Sequence, residues 1–207
     1  MKIYDFKGFP NPLRVRIVVA EKSLSDRVEF VSVNVPEGEH KTPAFMAKNP
    51  GAAVPVLELD DGTCIAECTA ITEYLDNITG EPTITGSNAK ERAIIHMMQR
   101  RTEATLLDAV ATYFHHATPG LGPHIETYQN REWGEKNREK ALDGMRYLDR
   151  VLDKQTFVAG NHFSMADITA FAGLIFADVA KIAIPAELTN LLSWRGNIAA
   201  RPSVKAI

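Results

Sequence analysis

Val54-Pro55-Val56-Leu57-Glu58-Leu59-Asp60-Asp61-Gly62-Thr63-Cys64-Ile65-Ala66-Glu67-Cys68-Thr69-Ala70-Ile71 is the stretch from which the fold is read. Residues 54–59 are rich in branched and aliphatic side chains, Asp60-Asp61-Gly62 has turn chemistry, and residues 63–66 resume the strand pattern. Together they predict a β-hairpin. From Glu67 to about Asn77 the period becomes helical. Pro55 removes an N–H where an edge backbone can pair with a ligand, and both an ordinary strand-initiating proline and a cis X-Pro bond fit it. At the helix start, the N–H groups of Cys68 and Thr69 and the helix dipole favour a carboxylate. Glu67 beside them suits an ammonium, with a plain N-terminal helix acid as its alternative. A helix start offering both fits one end of an amino acid.

Working outward, residues 2–6 and 28–33 read as strands and residues 12–22 between them as a helix, so β-α-β precedes the ββα of the hairpin. Thr79-Gly80-Glu81-Pro82-Thr83-Ile84-Thr85-Gly86-Ser87 has two glycines, a proline and no apolar period, and reads as a linker. Residues 88–117 then contain no Gly or Pro, and Ile95, Met98, Thr102, Leu106 and Ala109 follow helical steps until Pro119-Gly120. Ala141, Met145, Leu148 and Leu152 repeat that stripe, and residues 164–181 are apolar nearly all round, as befits a helix at the centre of a bundle. Ser164-Met165-Ala166-Asp167 has the spacing of a capping box, which makes Asp167 a folding residue. The organisation is an α/β domain over residues 1–79, a linker at 80–86 and an all-α domain over 87–207.

The chemistry excludes several classes. A formal net charge of -3 provides no basic field for nucleic acid. The longest apolar stretch, residues 168–177 between Asp167 and Asp178, is too short to cross a bilayer. The N-terminus enters an alternating pattern without the character of a secretory signal, which points to the cytoplasm. Cys64 and Cys68, the two cysteines, form neither a disulfide framework nor a Cys-x-x-Cys redox pair. No metal site is read from the sequence.

The whole succession of β-α-β, Val-Pro strand, hairpin, Glu-Cys-Thr-Ala-Ile helix, linker, helical bundle, capping box and terminal Ala200-Arg201-Pro202-Ser203 resembles the cytosolic glutathione transferases along essentially the full chain. The resemblance implies a thioredoxin-like N-terminal domain that holds glutathione and an all-helical domain that holds a small hydrophobic electrophile. It implies that the Val54 backbone pairs with the cysteinyl part of glutathione before a cis Pro55, and that Glu67 and Cys68 hold the γ-glutamyl end. Cys68 departs from the serine usual there. His40 and Lys41 match the stretch that binds the glycine carboxylate in theta-like members, a solvated loop charge being the alternative. Phe9 falls on the glutathione side as well.

The thiol-activating Tyr, Ser or Cys of the family is absent from Lys7-Gly8-Phe9-Pro10-Asn11-Pro12-Leu13-Arg14. Aligned on Asn11, this loop is similar to nu-class-like bacterial members, which makes Asn11 the catalytic candidate. Asn at an N-cap with Pro after it is also what any helix start prefers, and one residue can do both. Moving a thiol pKa from about 8.5 to about 6.5 takes roughly 2.7 kcal/mol. A hydrogen bond to a charged group supplies about 1.5–3 kcal/mol and a helix start about 0.3–1 more, so the sum suffices. Tyr113, Phe114 and His115 are candidates for the second-substrate pocket, with core packing the alternative. A homodimer formed by the Glu67 helix and the long helix after the linker, and a role in detoxification, follow from the same resemblance. Disulfide or peroxide reduction and a non-catalytic binding module are the competing functions.

Overall fold

The computed structural model describes residues 1–207, which divide into two compact units, Met1–Pro82 with Ala206–Ile207, and Thr83–Lys205. In the first, β1 (Lys2–Asp5), α1 (Pro10–Glu21) and β2 (Glu29–Ser32) form the β-α-β opening. β1 and β2 are parallel, as a helical crossover requires. After the four-residue α2 (Pro43–Met46), β3 (Val56–Glu58) and β4 (Cys64–Ala66) form the hairpin. β3 runs antiparallel to β1 and completes a four-stranded sheet in the order β2-β1-β3-β4. α3 (Cys68–Asn77) follows and packs against α1.

Strand alternation divides the core. Ile3 sits opposite Leu57 and both are inaccessible, as are Val15, Ile17 and Val18 of α1 and Ile71 and Leu75 of α3. Tyr4 sits opposite Val56 and joins the separate cluster of Val33, Phe45 and Val56. Charge ties the elements together. Buried Asp5 receives both Arg16 Nε at 2.6 Å and Nη2 at 3.0 Å, while the same guanidinium lies 4.0 Å over Phe30. Lys22 and the fully buried Asp76 are 2.9 Å apart and join the end of α1 to α3.

The helical unit opens with α4 (Ala89–Thr102), a five-residue π-helical stretch (Glu103–Leu107) and α5 (Asp108–Ala117). The sequence pattern predicts one continuous helix here, and the π stretch interrupts it. That stretch is held by neighbours distant in the chain. Gly144 of α6 (Arg131–Leu152) lies against it so closely that a Cβ would stand 2.6 Å from the Thr105 carbonyl oxygen. α7 (Met165–Val179) is buried along nearly its whole length, and α8 (Thr189–Ala199) and α9 (Pro202–Lys205) close the unit.

The capping box at Ser164 forms as the spacing predicts, but Asp167 does more. Its carboxylate accepts from the Ser164 N–H and hydroxyl at 3.0 Å, from the Val158 N–H at 2.8 Å and from Trp194 Nε1 at 3.1 Å. One buried anion thus organises the start of α7, the loop before it and α8. Burial pushes its pKa up to about 6 against the opposing pull of these donors.

Candidate active site

α1 begins two residues earlier than its sequence pattern suggests. Phe9 is the N-cap, Pro10 takes N1, and Asn11 stands at N2, so Asn11 is not the cap. Leu13 N–H reaches the Phe9 carbonyl at 2.9 Å, and Pro10 and Pro12 occupy N1 and N3, where a missing N–H leaves no helical bond unmade. The Asn11 amide is engaged elsewhere: its Oδ1 accepts from Nη1 of the buried Arg14 at 3.1 Å. Phe9 packs its ring edge-on to Phe6, 4.8 Å between centroids, and so holds the loop ahead of the helix.

The Val54–Pro55 peptide is cis, and both residues precede β3, which starts at Val56 instead of Val54. Val54 packs against the Val33–Phe45–Val56 cluster. At the start of α3, Glu67 occupies the N-cap position at φ 68° and ψ 121°, with its side chain making no cap bond. An L-residue at positive φ costs of order 1–3 kcal/mol and persists only where its surroundings impose it. Cys68, Thr69 and Ala70 lie ahead of the first helical bond, Ile71 N–H to Glu67 O at 2.9 Å. The Cys68 thiol donates to the Asn11 carbonyl at 3.4 Å, which brings the starts of α1 and α3 together.

His40 and Lys41 lie in a 3-10 turn, Glu39–Lys41, just before α2. Lys41 is exposed, but His40 is only 7% exposed, so it is not a solvated loop residue. Its Nδ1 is buried without a hydrogen-bond partner. Desolvation, with the Lys41 charge adding to it, holds the imidazole pKa below its ordinary value.

In the helical unit, Tyr113, Phe114 and His115 are half-buried on the last turns of α5. Phe114 meets Phe176 of α7 with centroids 5.2 Å apart, which is packing between helices. His115 Nδ1 lies 2.7 Å from Glu126 Oε1, the same oxygen that accepts the Leu121 N–H at 2.8 Å.

Residues 10–78 match the model of the glutathione S-transferase N-terminal domain, and residues 104–202 that of the C-terminal domain. The chain belongs to the glutathione S-transferase family. It is 56% identical to glutathione S-transferase 2 of Saccharomyces cerevisiae over 207 residues, covering all of this chain and 89% of that protein. It superposes on the crystal structure of Gtt2 from the same yeast with a TM-score of 0.98 at 57% identity, over 100% of this chain and 99% of the other. A glutathione S-transferase domain-containing protein of Marinobacter aquaeolei matches at a TM-score of 0.97 and 59% identity, covering 99% and 100% of the two chains.

The glutathione S-transferase is therefore an enzyme of α/β thioredoxin-like plus all-helical architecture, with glutathione as its substrate. These relatives establish the family and not a theta or nu class or a bacterial origin. The sequence reading of this transferase missed Arg14 and Glu126. Arg14 leaves little trace, because Arg16 two residues on carries the same charge and is only half-buried, and Glu126 follows a Gly- and Pro-rich turn and has no periodic mark.

Proposed function

We propose that this transferase conjugates the thiolate of glutathione to a small hydrophobic electrophile, with Asn11 stabilising the thiolate. The thiol loses its proton to solvent, the sulfur lone pair forms the new C–S bond, and a displaced group leaves with its own electron pair. The observation that carries this reading is the Cys68–Asn11 contact, which joins the two helix starts. The N–H groups at the head of α3 and the Glu67 carboxylate suit the γ-glutamyl carboxylate and ammonium, and Val54 before Pro55 offers backbone to the cysteinyl part. The unpaired Nδ1 of His40, with Lys41, suits the glycine carboxylate. The loss of a hydroxyl at Cys68 leaves its backbone N–H in place. Tyr113 and His115 are the polar candidates for the electrophile site of the helical unit. The Asn11 loop is the part that favours a nu-like grouping.

Turnover of a model electrophile by protein that binds glutathione calorimetrically supports the reading. Reduction of a disulfide or peroxide with little conjugation selects the reductase, and binding without turnover selects the non-catalytic module. We also propose a homodimer. On α4, Ile94 and Met97 are 36% and 43% exposed and border a groove of about 420 Å³ that Met98, Tyr147 and Val151 also line. Arg150, Lys154 and Gln155 line the groove as well, so its surface is apolar with a charged side, and its apolar part fits a second copy of the chain. The free thiols of Cys64 and Cys68 accord with the cytoplasm, and a detoxifying role follows from the conjugation chemistry.

A further inference from the structure

Arg14 bears on how the Asn11 amide is oriented, a question that arises only if Asn11 faces the glutathione thiol as proposed above. Among the first three positions of α1, Pro10 and Pro12 have no N–H, and the next N–H, that of Leu13, is taken by Phe9. Asn11 is thus the single residue of that set able to offer an anion a backbone N–H, and its side chain is the adjoining donor. An amide is ambivalent, however. Its NH2 end attracts an anion and its oxygen end repels one.

Arg14 removes the ambiguity. Its guanidinium is permanently charged, carries donors only, and is 4% exposed, so it requires acceptors. One turn along the helix from Asn11, its Nη1 lies 3.1 Å from Oδ1. Turning the amide over would set NH2 against guanidinium, donor against donor, and forfeit this charge-assisted bond. We infer that Arg14 is a positioning residue for the transferase reaction: by holding Oδ1 of Asn11 it keeps the Asn11 NH2 group turned outward as the donor for the glutathione thiolate. It acts through Asn11 and touches neither substrate.

The test is the pKa of bound glutathione, followed by thiolate absorbance against pH, with affinity and melting temperature recorded for each variant. Arg14→Gln presents either an oxygen or an NH2 to Asn11 and no longer dictates its orientation, and Arg14→Met presents neither. Both should raise the bound thiol pKa by about one unit, a tenfold weaker acid. Arg14→Lys, which still has donors only, should restore most of the wild-type value. In the Asn11→Ala background, Arg14→Met should add no further shift, because its route to the thiol is gone.

An additive shift in the double variant would mean that Arg14 acts on the thiolate directly and would overturn the inference. So would an unshifted pKa in Arg14→Gln when Asn11→Ala does shift it. If Asn11→Ala itself leaves the thiol unchanged, the assignment of Asn11 fails and this inference fails with it, which separates the two. Should Arg14→Met not fold, the contrast between Arg14→Gln and Arg14→Lys decides the matter.

Discussion

Glu67 combines an unfavourable backbone with an exposed, uncapped carboxylate, an arrangement that stability alone does not favour. Replacing Glu67 with Ala should weaken glutathione binding by about 1.5–3 kcal/mol, the scale of a hydrogen bond to a charged group. Glu67→Gly should lose the same affinity while raising stability by about 1 kcal/mol, since glycine tolerates positive φ. Calorimetry and chemical denaturation of the pair check this, and undiminished affinity would take Glu67 out of the site. His40 gives a pH signature. Its folded pKa is depressed, so near the ordinary value of about 6.5 the unfolded chain binds more protons. The stability of the neutral, buried ring is complete above that pH and is lost as pH falls through it toward the depressed folded value. His40→Gln should flatten this part of the stability-versus-pH curve. An equally steep acid slope in the variant would assign the slope to other groups.

At the scale of elements, the helical unit depends on a carboxylate surrounded by donors. The four bonds to Asp167 come from the Val158 N–H, the Ser164 N–H and hydroxyl, and the Trp194 indole. Asp167→Asn keeps the shape but puts an NH2 group where the neighbours also donate. It should cost about 2–4 kcal/mol, the scale of leaving one or two buried donors unpaired. Urea denaturation measures the loss, and a variant within about 0.5 kcal/mol of wild type would show that the network contributes little. The capping half of this arrangement is legible in Ser164-Met165-Ala166-Asp167 because it spans three residues. Trp194 lies 27 positions away, and no local pattern reports that contact. The π stretch is hidden for a similar reason, since the close approach of Gly144 comes from another helix.

For the whole molecule, sedimentation velocity at micromolar concentration should find a dimer, and Met97→Glu on the exposed face of α4 should shift it to monomer. A wild-type monomer would remove the proposed second copy from the α4 groove. The sequence by itself determined the β-α-β-β-α order and the change to helices after the linker, because periodicity, turn residues and caps are written into near neighbours; most of the glutathione-facing candidates came only with the family resemblance. The cis Val54–Pro55 bond came through that resemblance as well, since an isolated Val-Pro pair is far more often trans. Tertiary structure alone decided which residue caps α1, because Phe9 and Asn11 each precede a proline suited to N1 and the side-chain preference for Asn at a cap is overridden. It alone buried His40, and it turned the Asn11 amide toward Arg14. Burial and amide orientation depend on the assembled chain, where desolvation makes every unpaired donor and acceptor costly, and a linear pattern does not record which groups the fold removes from water.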